Sequence, residues 1–367
     1  MAISSPAGVD PGIRIGEPVP VADRVYRLSL PMRANPGHVN SYLLDDDGGL
    51  VIVDTGHHSD ETRALWDAVL AGPLAARGAR AILLTHGHPD HAGNAQWLAE
   101  KTGATVQLPD AEHDALHRLW RGSIKNADAV TAFFRNHDIP ADQCLNILGM
   151  LKFFRYGCPA LESPTQTLAN DAVLTMAGRD WRVVYGYGHT PANAALLSAD
   201  GLLLSGDHVL PTIYPNISVW WGGEDNPLRS YLDSAREFRS LPARLVLPSH
   251  GPVFTDLPGR IDEIRRFHRR RLQRTLAFCA DAPRSAYESI AAVVNKPSTS
   301  PVIALIAGQV IATLAWLEHE QLVTRESEAP LRFRAVAGAD LSPWFAGLAD
   351  ASGAEEALAD MAEPDAH

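Results

Sequence analysis

One stretch limits what this chain can fold into more than any other. Leu83 to Gly93, LLTHGHPDHAG, sets three histidines and an aspartate within six residues, directly behind an apolar run. The run reads as a buried strand, and the loop that leaves it is free of helical spacing, so several side chains can aim at one point. His86 and His88 alternate along extended backbone and can face the same side. Asp90 and His91 follow across Pro89, a residue suited to the first position of a helix. Imidazole and carboxylate donors at this density suit a borderline metal, zinc first, with iron or manganese also able to bind. A single ion needs three protein ligands and an open position, so four donors in one loop predict two ions and further ligands elsewhere.

Those further ligands share one setting. His189 in YGYGHTPAN, Asp207 in LLLSGDHV and His250 in LVLPSHGPV each come after an apolar strand and sit next to a glycine, where backbone can turn sharply. With the loop they make seven donors: His86, His88, Asp90, His91, His189, Asp207 and His250. The other histidines carry less. His57 and His58 read as polar loop residues, and His113 and His117, four apart on a helix, as a solvated face. His208 is a candidate for lining the pocket.

The strands behind these residues are interleaved with helices, which predicts an α/β architecture. RVYRLSL and NSYLLDDDGGLVIVDTG read as strands, the second turning at Asp46 to Gly49 and ending at Asp54. LLSADGLLLSGDH echoes that hairpin and also ends in an aspartate, Asp207, which hints at two similar halves. From about 111 to 165 the pattern turns helical, with aromatic clusters that include Phe133, Phe134, Phe153, Phe154 and Tyr156. After Pro258 a long helix, two shorter ones and a hairpin, LVTRESEAPLRFRAV, outline a smaller domain. The tail from Ala351 has five acidic residues and no basic ones.

The ordered set Asp54, then His86-x-His88-x-Asp90-His91, then His189, Asp207 and His250 resembles the metallo-β-lactamase superfamily from roughly Val25 to Pro252. The resemblance implies an αββα sandwich of the metallo-β-lactamase type, with the metals at one edge of the two sheets and a helical insertion. Carried over position by position, His86, His88 and His189 would hold one ion, Asp90, His91 and His250 the other, and Asp207 would bridge them. Asp54 would orient the histidine loop rather than bind. The ligand set is similar to that of glyoxalase II, although the segment after Asp207, HVLPTIYPNISVW, lacks the glutathione-binding signatures of true members. Lactamases that use a cysteine ligand place it where this chain has Asp207. The C-terminal region resembles the winged-helix domain associated with β-lactamase-like hydrolases, including members that cleave RNA. The expected organisation is a catalytic domain at 1–258 with the insertion at about 111–165, a winged-helix-like domain at 259–340 and an acidic tail at 341–367.

The implied activity is hydrolysis by a hydroxide shared between two divalent ions, with Asp54, Asp90 and Asp207 as the carboxylates of the catalytic site. The aromatic insertion directs the expectation to a small-molecule thioester, ester or lactone. The alternative is a metal-dependent single-strand endoribonuclease, suggested by the arginine-rich helix from Arg260 to Arg274. A formal charge of -11 weighs against nucleic acid as the main partner. A third reading, a binding module with a vestigial metal site, conflicts with the intact donor set. Three widely spaced cysteines give neither a disulfide framework nor a thiolate zinc cluster, which favours a reducing compartment. The apolar stretch Val302 to Leu317 is shorter than the ~20 residues of a spanning helix. Without a secretory leader pattern, the expectation is a cytoplasmic protein that needs no membrane and is free to form a homodimer.

Overall fold

The computed structural model describes residues 12–33, 35–116, 125–163, 165–294 and 303–348, with the side chains of Phe154 and Ala304 excepted. His117, residues 117–124 of the insertion, Val302, the Phe154 ring and the acidic tail from Ala351 lie outside the described residues. Contacts divide the chain into two compact units. One comprises Met1–His117, Phe153–Pro215 and Arg239–Leu257, and the other Arg118–Lys152, Asn216–Phe238 and Pro258–His367.

The first unit is built on alternating apolar strands. β1 (Pro18–Ala22), β2 (Val25–Pro31), β3 (His38–Leu44), β4 (Leu50–Val53), β5 (Ala79–Leu83), β6 (Thr105–Leu108) and β7 (Thr165–Thr167) form one sheet in chain order. Its first four strands pair antiparallel, and β4 to β7 run parallel. The second sheet has the order β12-β11-β10-β9-β8, from β8 (Val173–Met176), β9 (Arg179–Gly186), β10 (Asn193–Ser198), β11 (Leu202–Gly206) and β12 (Leu245–Pro248). Only its β11–β12 pair is parallel.

Side chains of period two meet between the sheets. Tyr42, Leu44, Val51, Val53, Ala81 and Leu83 come from one, and Trp181, Val183, Ala194, Leu196, Leu202, Leu204, Leu245 and Leu247 from the other, in one buried cluster. β4 is buried along its whole length because its outer face is also covered, as a parallel strand requires. Over the first sheet lie α1 (Asp60–Leu70) and α3 (Ala95–Thr102), with Trp66 of α1 fully buried and its indole N–H donating to the Thr55 carbonyl oxygen at 2.8 Å. The hairpin echo has a structural counterpart. β3 and β4 are an antiparallel pair followed by a parallel strand, and so are β10 and β11.

The helix of the metal loop is short, α2 (Pro89–Ala92), with Pro89 at its first position. α4 (Asp110–Ala115) follows β6. The insertion then contributes α5 (Ala127–Asn136) and α6 (Ala141–Gly157).

In the second unit, α7 (Pro227–Phe238) buries Leu228, Tyr231, Leu232, Ala235 and Phe238 along one face and packs against α10 (Ile303–His319). α8 (Leu257–Asp281) is the long helix expected after Pro258. α9 (Ala286–Val293) starts at a reciprocal cap in which the Ser285 hydroxyl accepts from the Glu288 N–H while Glu288 accepts from the Ser285 N–H. β13 (Val323–Glu328) and β14 (Leu331–Ala335) make the C-terminal hairpin. Phe133 and Phe134 lie edge to face at 5.1 Å, and Phe134 is 1% exposed, 6.4 Å from the Trp220 ring. These two aromatics therefore pack inside the second unit. Among the described residues no helix is long and apolar enough to cross a membrane.

Candidate metal centre

Five of the predicted donors follow the carboxyl ends of strands and two stand on the short helix α2, and the packing of the two sheets brings their loops together. β5 leads into His86 and His88, with Asp90 and His91 on α2. β9 leads to His189, β11 to Asp207 and β12 to His250. The structure brings all seven together in the first unit as two groups of donor atoms, each within 4.8 Å of one another: His86, His88, His189 and Asp207, then Asp90, His91 and His250. His57, His58, His113 and His208 belong to neither group. His58 accepts from Arg63, the His57 ring lies 5.4 Å from Phe153, and His208 is fully buried.

Asp54 follows β4 in left-handed backbone at φ 61°, a conformation aspartate tolerates better than most residues. Its Oδ1 accepts from the Thr85 N–H at 2.8 Å, and its Oδ2 accepts from the Thr85 hydroxyl and from His91 Nδ1–H, both at 2.8 Å. That bond fixes the His91 tautomer and turns Nε2 toward Asp90 and Asp207, at 3.6 and 3.5 Å. With its proton given to Asp54, the Thr85 hydroxyl accepts from His86 Nδ1–H at 3.0 Å, leaving a lone pair on His86 Nε2. That atom is 3.0 Å from His88 Nδ1. His250 Nδ1–H donates to the His38 carbonyl oxygen at 2.8 Å, so its Nε2 faces Asp90 at 3.3 Å and Asp207 at 3.5 Å. The Asp207 N–H donates to Asn193 Oδ1 at 3.0 Å.

Thr85, Asn193 and the His38 carbonyl were invisible in the sequence. Single polar residues at the ends of apolar strands carry no spacing signal, and a carbonyl group is present at every position.

Charge in the cluster is unevenly held. Burial, then the neighbouring His189, pull His88 down to about 3, and burial and the close His91 and His88 rings hold His86 well below its ordinary value. Burial also opposes a charge on His91 and His250, but Asp207 and Asp90 outweigh it, raising His91 well above the ordinary range and His250 to about 10. Burial pushes the Asp207 and Asp90 carboxyls up, but His250 and His91 hold them below the usual carboxylate range. The buried His91 Nε2 and Asp207 Oδ1 make no hydrogen bond within the protein. Leaving such atoms unmatched is costly, and a cation among them would satisfy both. The nitrogen and oxygen donor set is that of a divalent-metal centre.

Comparison with known proteins agrees with the fold. Residues 34–250 match the family model described as Metallo-beta-lactamase superfamily. The chain is similar to the crystal structure of a beta-lactamase domain protein from Burkholderia ambifaria, at TM-score 0.77 and 30% identity, covering 91% of this chain and 96% of that one. It is 27% identical over 285 residues to the "Beta-lactamase-like protein 2 homolog" of Drosophila melanogaster, covering 77% of this chain and 82% of that protein. It is 25% identical over 267 residues to the "Atrochrysone carboxyl ACP thioesterase" of Aspergillus fumigatus, covering 70% of this chain and 66% of that protein. From its strand-end His and Asp cluster, its two facing sheets and these matches, the chain belongs to the metallo-β-lactamase superfamily and is a hydrolase of that superfamily.

Proposed function

We propose that the protein is a dinuclear metal-dependent hydrolase of small-molecule thioesters, esters or lactones, with a glyoxalase II-like ligand set. One observation carries the dinuclear part. The two oxygens of Asp207 face different groups: Oδ2 lies 3.4 Å from His189 Nε2, and Oδ1 lies 3.5 Å from both His91 Nε2 and His250 Nε2. In this reading His86, His88 and His189 hold one ion, Asp90, His91 and His250 the other, and Asp207 touches both. Bound by these residues, divalent cations would lower the pKa of water to supply the nucleophile and would polarise the carbonyl to be attacked. The chain's own part is to aim the donors. Asp54 orients His91 and, through Thr85, His86, while the His38 carbonyl orients His250.

Support for an acyl substrate comes from the relative named as a carboxyl ACP thioesterase. It also comes from Phe153 and Tyr156 at the end of α6, which are 55% and 66% exposed, with Phe153 beside His57. Exposed aromatic surface of this kind suits an acyl group better than a sugar or bare phosphate. For residues 259–340, the winged-helix-like reading is supported by α8, α9 and α10 followed by a hairpin, and by Arg284 bridging to Phe333 of β14 through two backbone bonds of 2.9 Å.

The test is a panel of thioesters, esters and lactones offered to the protein loaded with zinc or manganese, with single-stranded RNA as a further arm. Turnover of an acyl member, lost together with bound metal in Asp207→Ala, is the expected result. RNA cleavage without acyl turnover would replace the substrate class, and full turnover in Asp207→Ala would remove the bridging role.

A further inference from the structure

Beside the donor cluster lies a carboxylate that belongs to neither metal group. Glu112, on α4, is 1% exposed. Its Oε2 accepts from the Gly87 N–H at 2.8 Å, and its Oε1 accepts from the Ala192 N–H at 2.7 Å. Gly87 lies between His86 and His88, and Ala192 is three residues beyond His189. One side chain thus grips the two loops that supply the three histidines of a single group, and it does so through their backbones.

The approach to Gly87 depends on the missing side chain there. A Cβ at Gly87 would sit 2.9 Å from Leu116 Cγ and 3.3 Å from Glu112 Oε2. Burying a carboxylate is costly unless it is matched, and two backbone N–H donors, one to each oxygen, offset part of that cost. β5 and β10 belong to different sheets, and where the two segments meet the Ala194 N–H donates to the Thr85 carbonyl oxygen at 2.8 Å, so the grip of Glu112 is a second tie between the loops.

Resting on the dinuclear reading above, we infer that Glu112 is a positioning residue that fixes the spacing of the His86–His88 and His189 loops and so presets the pocket for one of the two ions. Its two backbone bonds go to Gly87 and Ala192, in the loops of His86, His88 and His189, so its effect is selective for that group over Asp90, His91 and His250. A carboxylate that merely stabilised the fold would act on both ions alike.

The experiment titrates the metal-free full chain with Co²⁺ alone, followed by visible absorption and chelator competition, alongside thermal unfolding of the metal-free protein. A His88→Ala variant marks the spectral signature of the ion in question. Glu112→Gln keeps one acceptor oxygen and turns an NH₂ group toward the other backbone N–H, breaking one grip. We expect that marked ion to bind about 10–100-fold more weakly with an altered spectrum, while the other stays within about threefold. Unchanged affinities and spectrum would overturn the inference, as would equal weakening of both ions in step with a lower Tm. If Glu112→Gln does not fold, Glu112→Asp, which keeps the charge but retracts it by one methylene, is read by the same criteria. If the wild type takes up a single ion, the dinuclear reading falls while Glu112→Gln is read on that ion, and uptake of none overturns both.

Discussion

At the scale of single residues, the site is a set of tautomers and rotamers held in place before any ion arrives. Asp54 matters most, because one carboxylate fixes Thr85 and His91 directly and His86 through the Thr85 hydroxyl. Asp54→Ala should lower metal affinity by about 10–100-fold and turnover with it, measured by chelator competition, because it removes the orienting bond and none of the seven donors. Retained affinity would show that packing alone aims His91. Gly186 is a second pressure point. A Cβ there would fall 2.3 Å from Cγ of His208, whose ring is fully buried. Gly186→Ala should therefore cost about 1–3 kcal/mol in urea unfolding, and a change under half of that would mean the His208 ring can shift. Five of the candidate donors, His86, His88, His189, Asp207 and His250, were legible in the sequence because each follows an apolar strand beside a glycine, and Asp90 and His91 because they crowd the same loop. Thr85 and Asn193 were not, since a threonine or asparagine next to a strand is ordinary and only the folded geometry gives it a partner.

At the scale of elements, the strands were legible wherever alternation was strong, and the two that sequence reading missed break its rules. β1, PVPVA, carries Pro18 and Pro20, which lack the N–H a ladder needs and are tolerated because β1 is an edge strand. β7 is TQT, three polar residues at the opposite edge. On the arginine-rich helix α8, two of the arginines are held by acidic neighbours on the helix itself. Arg260 and Arg265 are both 7% exposed, with Arg260 paired to Glu263 at 2.7 Å and Arg265 to Asp262 at 3.6 Å. The same helix buries His268, whose ring lies 5.5 Å from Tyr231, and burial, then Arg271, push its pKa down to about 3. Because the folded value lies below the unfolded value of about 6.5, this group leaves stability intact above pH 6.5. Below that the unfolded chain binds the proton first, and stability falls by about 1.4 kcal/mol per pH unit toward pH 3. Between pH 6.5 and pH 5 the loss should reach about 2 kcal/mol. His268→Gln should flatten the slope by that amount in urea titrations at the two pH values, whatever its effect at pH 7. An identical slope in both proteins would mean that His268 titrates normally.

At the scale of the whole molecule, the division of the chain follows contacts more than sequence order. Pattern reading placed a boundary at Pro258, where the long helix begins. The contacts instead assemble the second unit from three separated stretches, Arg118–Lys152, Asn216–Phe238 and Pro258–His367. Sequence could not show this, because each stretch is an ordinary amphipathic pattern and nothing local says which of them share a core. Inside that unit the three are tied by specific bonds. The Tyr287 N–H donates to the His137 carbonyl oxygen at 3.3 Å, Arg332 pairs with Asp138 at 3.4 Å, the Val219 N–H donates to the Gly308 carbonyl oxygen at 3.0 Å, and Arg229 pairs with Glu320. A chain cut after Pro258 keeps all seven candidate ligands but removes α8, α9 and α10, leaving the apolar face of α7, with Leu228, Tyr231 and Phe238, without the helices that complete its core. Apolar surface stranded in this way drives association rather than folding. The truncated chain should therefore elute as aggregate in size-exclusion chromatography, bind a hydrophobic dye, and lose near-ultraviolet circular dichroism. A monomer that unfolds cooperatively and takes up the same number of ions as the full chain would show instead that residues 1–258 are self-sufficient.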